Sequence, residues 1–223
     1  MSDIISQAIA LYTSAPNAAN KGNFIPPLLK ERGLGGEAVE TASLLILDGA
    51  MGTMIQRFHL TEDDFRGEMF KDWPVRLQGN NELISLTRPE VLRQIHRQYL
   101  EAGADIITAN TFSAQRISQA DYQTEDYVVE MNRAALQIAR EEAERMTRLT
   151  PNKPRYVVAT IGPTNRTLSM SPDVENPAYR ALTFDQLFEA YEEQMMVFSE
   201  GGFDLFMLET IFDTLNAKAG LMA

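Results

Sequence analysis

Four short apolar runs, separated by helical patterns, constrain the fold of this chain more than any other feature. They occupy residues 44–48, 104–110, 156–162 and 204–209, and the last residue of each run is polar or glycine. Runs of this length are typical of strands buried on both faces of a parallel sheet. Because a helical pattern follows each run, strand and helix alternate, and we expect a parallel sheet with crossover helices.

Capping signals place the helices between these runs. Thr87 and Glu90 have capping-box spacing and predict one helix start, and Gly103 is expected to end that helix. Thr183 and Gln186 repeat the spacing before a later helix. A further helix is predicted over 125–145, with charged residues at 141, 142, 144 and 145 on its solvated face. The last predicted helix begins at 213–215.

The spacing of the strand ends favours one particular α/β architecture. The ends at 48, 110, 162 and 209 are 62, 52 and 47 residues apart, which suits βα units with long loops. No G-x-G-x-x-G motif follows a strand, so a doubly wound sheet is disfavoured. We therefore expect the N-terminal half of a (β/α)8 TIM barrel, about four βα units.

Residues 1–43 differ from this regular part of the chain. Asparagine, proline and glycine interrupt every periodic pattern there, so a mostly irregular leader is predicted, with a short helix over 4–11. The barrel domain is expected to cover 44–223.

Composition excludes several classes of partner. The net charge of −11, from 31 acidic and 20 basic residues, would repel nucleic acid and anionic membranes. No apolar stretch approaches the roughly 20 residues that cross a bilayer, and Asp3 stands where a secretory signal carries positive charge. A cytoplasmic location is the resulting expectation. The sequence has 0 cysteines, which excludes disulfides and thiolate ligands within it.

Polar groups collect where the strands end. Asp48 precedes the small residues Gly49, Ala50 and Met51, and Glu209 ends the last run. Since the carboxyl ends of parallel barrel strands converge on one pocket, two carboxylates and several backbone N–H groups would lie together. Carboxylates bind an ammonium and backbone N–H groups bind a carboxylate, so an amino acid is the expected ligand.

Several ordered motifs resemble one family. They are Leu47-Asp48-Gly49-Ala50-Met51-Gly52-Thr53, Phe65-Arg66-Gly67-Glu68, Gly79-Asn80-Asn81-Glu82-Leu83, Ala109-Asn110-Thr111-Phe112, Ile161-Gly162-Pro163-Thr164-Asn165 and Leu208-Glu209-Thr210. In this order they resemble the homocysteine-binding domain of cobalamin-dependent methionine synthases, over about residues 44–223.

This resemblance implies a homocysteine S-methyltransferase on a (β/α)8 barrel. In the family a zinc ion binds the homocysteine thiol, and the thiolate takes the methyl group of methylcobalamin to give methionine. Methyltetrahydrofolate recharges the cobalamin, so the cobalamin and folate domains of the full-length enzyme are the implied partners. Asp48, the backbone of Gly49, Ala50 and Met51, and Glu209 match the substrate-binding positions. Asn110 and Thr111 are weaker candidates for the pocket wall.

The sequence departs from the family at the metal. The family's zinc ligands are three cysteines on later strands, and His59 and His96 are not expected to replace them. The resemblance therefore implies a truncated protein without catalytic residues or metal ligands of its own, which alone binds neither zinc nor cobalamin.

Other readings of the sequence stay open. A homocysteine methyltransferase that uses betaine or S-methylmethionine has the same barrel, although the insert over 73–81 favours the cobalamin branch. A noncatalytic half-barrel that acts through protein contacts fits the lack of cysteine. A Schiff-base aldolase is disfavoured, because no strand end carries a lysine.

Overall fold

A parallel sheet of three strands organises the part of the protein that the computed structural model describes, residues 44–223. The strands are β1 (Ile106–Thr108), β2 (Tyr156–Ile161) and β3 (Leu205–Leu208), in spatial order β1-β2-β3. Ile106 pairs with Tyr156, and Val158 pairs with Leu205. The prediction of a mixed α/β fold with a parallel sheet is confirmed. The predicted leader and its helix lie outside the described residues.

The first predicted strand lies beside β1 but pairs only briefly. Leu47 forms an isolated parallel bridge with Ile106, and the Asp105 and Ile106 N–H groups donate to Ile46 O at 2.8 and 3.1 Å. Asp48 N donates to Ile106 O at 2.9 Å, which ends the pairing. The predicted strand over 44–48 is therefore in the right place and direction, but it is reduced to a single bridge.

Eight α-helices connect and cover these strands within residues 44–223. They are α1 (Met51–Gln56), α2 (Glu62–Arg66), α3 (Ile84–Thr87), α4 (Pro89–Ala102), α5 (Arg116–Gln119), α6 (Val128–Leu149), α7 (Phe184–Ser199) and α8 (Thr214–Met222). Single 3₁₀ turns at Ala120–Tyr122 and Glu125–Tyr127 lead into α6. None of the helices in this described range is long and apolar enough to cross a bilayer.

The two predicted capping boxes have different outcomes. Thr183 caps α7 in a complete capping box with Gln186, as predicted. Thr87 does not cap α4, because it is the last residue of α3 and its backbone is already helical. The predicted capping box with Glu90 is therefore wrong. The predicted end of α4 is confirmed, since Gly103 adopts the left-handed conformation with φ 111°.

Helix α6 begins three residues later and ends four residues later than predicted. Its Glu142 was expected on the solvated face, but the side chain is only 3% exposed. Arg97 of α4 and Arg145 each donate to this carboxylate at 2.8 Å. The expectation for Glu142 is wrong, because an arginine from a neighbouring helix covers it.

Apolar side chains form two clusters around this framework. One packs the sheet against α6 and α7, and its most buried members include Ile107, Val157, Tyr191 and Phe198. The other packs α1, α3 and α4 and the connections between them. β2 is buried along its whole length, whereas Phe206 of β3 is 45% exposed. β2 is thus the central strand, and β3 offers an uncovered edge.

Candidate functional site

Asp48 and Glu209 occupy corresponding positions at the two sides of the sheet: Asp48 follows the segment beside β1, and Glu209 follows β3. Each acid continues the strand ladder through its backbone: Asp48 N donates to Ile106 O at 2.9 Å, and Glu209 N donates to Ile161 O at 3.0 Å. Both carboxylates therefore lie at the carboxyl edge of the parallel strands, which is the edge where α/β proteins bind ligands.

The Asp48 carboxylate is fixed by one residue of β1. Thr108 N donates to Oδ2 at 2.9 Å, and Thr108 Oγ1 donates to Oδ1 at 2.6 Å. Burial raises the pKa of Asp48, and these two hydrogen bonds offset part of that rise. Both donors that hold this partly buried carboxylate are uncharged, so it is well suited to receive a cationic group of a ligand.

Glu209 is electrostatically coupled to Asp48. Burial raises the pKa of Glu209, the negative charge of Asp48 raises it further, and a hydrogen bond from Thr210 lowers it. In a flat sheet three strand spacings, about 14 Å, would separate these two chain segments. The two carboxylates therefore lie on opposite sides of the carboxyl edge and interact across it. Thr210 follows with φ 59°, a strained conformation for a β-branched residue.

The loop that follows Asp48 is packed beneath a tyrosine of α4. Tyr99 Oη donates to Ala50 O at 3.2 Å, and a Cβ atom added to Gly49 would lie 3.0 Å from the same Oη. Gly49 and Ala50 are exposed, while Met51 begins α1. The backbone of all three residues therefore lies next to Asp48 at the carboxyl edge of the sheet.

The loops at the carboxyl edge of the sheet form the rim of the candidate site. Asn110 and Thr111 are buried in the loop that follows β1. Asn110 Nδ2 donates to Asn81 O at 2.8 Å, and Thr111 Oγ1 donates to Thr160 O at 2.8 Å. Gln194 of α7 reaches the same loop, with Nε2 2.7 Å from Thr111 O. Both predicted residues thus position the loop after β1, and their polar atoms are engaged by protein groups.

Sequence reasoning did not assign a role to Glu82. The residue is buried, and its Oε1 accepts a hydrogen bond from Ser113 N at 3.1 Å. Burial raises the pKa of Glu82, while hydrogen bonds from its own N–H and from Ser113 lower it. The neighbouring Asn81 lies against the first loop, with Nδ2 3.7 Å from a Cβ atom added to Gly52. The motif Gly79-Asn80-Asn81-Glu82 was the signal in the sequence from which a role for Glu82 could have been predicted.

The long loop after β2 is anchored to the start of α8. Asp213 caps that helix by accepting from Leu215 N, and it also accepts from Ser169 N and Ser169 Oγ, both at 2.8 Å. Asn216 Oδ1 accepts from Leu168 N at 3.0 Å. Burial acts to raise the pKa of Asp213, but these hydrogen bonds hold it below its ordinary value.

The described residues do not fit a zinc ion. No group of three or more histidine, cysteine or acidic side chains that could hold a metal occurs within residues 44–223. His96 is fully buried in α4, and neither ring nitrogen has a hydrogen-bond partner. His59 is exposed, and it lies at φ 51° just after α1.

Comparison with known proteins defines the class to which this α/β chain belongs. The sequence model for the family "Homocysteine S-methyltransferase" matches residues 45–223. The chain therefore belongs to the homocysteine S-methyltransferase family.

Solved structures of one bacterial enzyme share the fold. The homocysteine methyltransferase MmuM from Escherichia coli, in its metallated form, is 18% identical, with a TM-score of 0.59 over 79% of this chain and 57% of that chain. Its oxidized form gives 18% identity and a TM-score of 0.59 over 79% and 56%. The chain thus spans just over half of the length of these structures.

Proposed function

We propose that this chain is the amino-acid-binding half of the homocysteine domain of a cobalamin-dependent methionine synthase. Homocysteine is the proposed substrate. The methyl group that it receives comes from methylcobalamin, which methyltetrahydrofolate recharges. Residues 45–223 would then supply about four of the eight βα units of a (β/α)8 barrel. The observation that carries this proposal is the placement of two acidic residues, Asp48 and Glu209, at the carboxyl edge of the sheet in a chain of this family.

The two ends of an amino acid match the two parts of this site. The Asp48 and Glu209 carboxylates would bind the ammonium group, whose positive charge relieves the cost of burying two acids near each other. The backbone N–H groups of Gly49, Ala50 and Met51 would bind the carboxylate. Asn110 and Thr111 support this arrangement through their hydrogen bonds beneath the rim.

The choice of cobalamin as the methyl source depends on the insert over 73–81. Arg66 ties that insert to α2, since its guanidinium donates to Trp73 O at 2.7 Å and Val75 O at 2.9 Å. Glu62 accepts from Leu77 N at 2.9 Å. The insert is therefore a built part of the fold, and its presence in the sequence, rather than these contacts, is what favours the cobalamin branch over betaine- or S-methylmethionine-dependent enzymes.

Calorimetric titration of the 223-residue chain with homocysteine tests the binding proposal. Norvaline, which has a methyl group in place of the thiol, is expected to bind within about threefold of homocysteine, because the chain has no cysteine-bound metal to hold sulfur. Asp48→Asn and Glu209→Gln should each weaken binding about tenfold, as loss of a charge-assisted contact does. Asp173→Asn, in an exposed loop, is the matched control. Equal binding by all four proteins would refute the proposed site.

The pH dependence of binding follows from the raised pKa values. Protonated carboxyls bind ammonium poorly, so affinity should rise as pH increases through the elevated pKa values of Asp48 and Glu209. In Asp48→Asn the titration of Glu209 should shift to lower pH, because Glu209 no longer faces the charge of Asp48. An unchanged profile would contradict the coupling.

We also infer that these 223 residues alone do not transfer a methyl group. The sequence has 0 cysteines, and residues 44–223 contain no group of side chains that could hold a metal ion. Elemental analysis after zinc dialysis should find far less than one zinc per chain, and incubation with methylcobalamin and homocysteine should yield no methionine. Stoichiometric zinc with methionine formation would overturn this inference.

A further inference from the structure

We propose that Tyr99 is a positioning residue that sets the direction of the loop N–H groups and so the affinity of the site for a substrate carboxylate. This inference rests on the proposed function, because the carboxylate is that of the proposed amino-acid ligand. Tyr99 lies in α4, and none of the motifs described above includes it.

The tyrosine is held rigidly enough to act in this way. Its ring packs against both apolar clusters, the one around the sheet and the one around α1, α3 and α4. Ile95, one turn earlier on the same helix face, and the adjacent Leu100 are both buried. The ring is therefore anchored in the core, while its hydroxyl reaches the rim.

The hydroxyl fixes one peptide plane of the loop. Tyr99 Oη donates to Ala50 O at 3.2 Å. A trans peptide is planar, so the carbonyl of Ala50 and the N–H of Met51 point in opposite directions. Holding that carbonyl against Tyr99 therefore turns the N–H of Met51 away from α4.

The ring also controls the preceding residue. A Cβ atom added to Gly49 would lie 3.0 Å from Tyr99 Oη and 3.2 Å from Cε1, closer than ordinary contact. Only glycine lets the backbone lie this close to the ring without displacing it. The charge of Asp48 raises the pKa of Tyr99 after the larger effect of burial, which indicates that the phenol borders the acidic site.

The decisive experiment compares Tyr99→Phe, which keeps the ring, with wild type on two ligands. Homocysteine should bind about five- to tenfold more weakly to the variant, as expected for one lost hydrogen bond. 3-Aminopropanethiol, which lacks the carboxylate, should bind both proteins equally. Tyr179→Phe, which removes a hydroxyl from the loop after β2, should change neither affinity and serves as the control.

Hydrogen exchange without ligand gives an independent readout on the same 223-residue proteins. Amides of residues 49–53 should exchange about fivefold faster in Tyr99→Phe than in wild type, with other peptides unchanged. An equal loss of affinity for both ligands, or unchanged exchange in 49–53, would overturn the role of Tyr99. If wild type binds no homocysteine, the proposed function fails, and the exchange rates still decide whether Tyr99 positions the loop.

Discussion

His96 makes the stability of this protein depend on pH in a way that can be worked out from its surroundings. Its imidazole is fully buried, and neither Nδ1 nor Nε2 has a hydrogen-bond partner. Burial lowers its pKa from 6.5 to about 4; the nearby charge of Glu142 on α6 acts to raise it, and that of Arg93 on α4 acts to lower it. The ring is therefore neutral in the folded protein at pH 7.

The size of the effect follows from this shift. Between pH 6.5 and about 4 the unfolded chain binds a proton at this histidine that the folded protein does not. Stability therefore falls as pH decreases through that window. With one pKa unit equal to 1.36 kcal/mol, the loss is about 2 kcal/mol at pH 5 and approaches about 3 kcal/mol below the folded pKa.

Equilibrium urea unfolding at pH 7, 6 and 5, followed by circular dichroism, measures this loss. His96→Leu removes the titrating ring and the unpaired nitrogens, so the variant should be more stable at pH 7 by about 1 to 2 kcal/mol. Its advantage over wild type should grow by about 2 kcal/mol at pH 5. His59→Asn removes the exposed histidine and tolerates the positive φ there, and it should follow the wild-type profile.

The comparison isolates His96 from the acidic groups, because both proteins contain the same carboxylates. Parallel stability profiles for wild type and His96→Leu between pH 7 and 5 would refute the reasoning. If the stability of His59→Asn alone were independent of pH, the reasoning would also be refuted, because the pH dependence would then come from His59.

Three further substitutions test separate features of the fold by thermal or urea unfolding. Thr210→Gly should stabilise the protein by about 1 kcal/mol, because it relieves the strained backbone at φ 59°; a loss of stability would contradict that strain. Gly162→Ala should destabilise by about 2 kcal/mol, since the new Cβ would lie 2.6 Å from Phe112 O, and an unchanged midpoint would show that the backbones can separate. Burial acts to raise the pKa of Glu142, but its arginine partners lower it, so Glu142→Gln should cost about 1 to 2 kcal/mol, allowing for the 47% exposure of Arg97. That cost should shrink as pH falls through the lowered pKa of Glu142, and a constant cost would exclude the ion pair as its source.

Local sequence signals predicted those features that depend on neighbouring residues. The capping box of Thr183 and Gln186 formed, and Gly103 ended α4, because both motifs satisfy backbone groups within one turn. Thr87 failed as a cap because the short helix α3 already included it, and no pattern around Thr87 distinguishes these two states.

Long-range contacts escaped prediction for a different physical reason. The burial of Glu142 depends on Arg97, which lies 45 residues earlier in the chain, and the geometry of Asp48 depends on Thr108, 60 residues later. The sequence placed Asp48 at the edge of the sheet from its position after an apolar run. It contained no signal for the threonine that orients the carboxylate, since that contact arises only when the strands pair.

Asp213 links two parts of the structure that a mutation would otherwise change separately. Its carboxylate caps α8 and also binds Ser169 in the loop after β2. Replacing this side chain would remove the contacts that hold the loop and the cap that stabilises the start of the helix. A change at Asp213 that alters the loop after β2 would therefore require another residue to cap α8 at the same time.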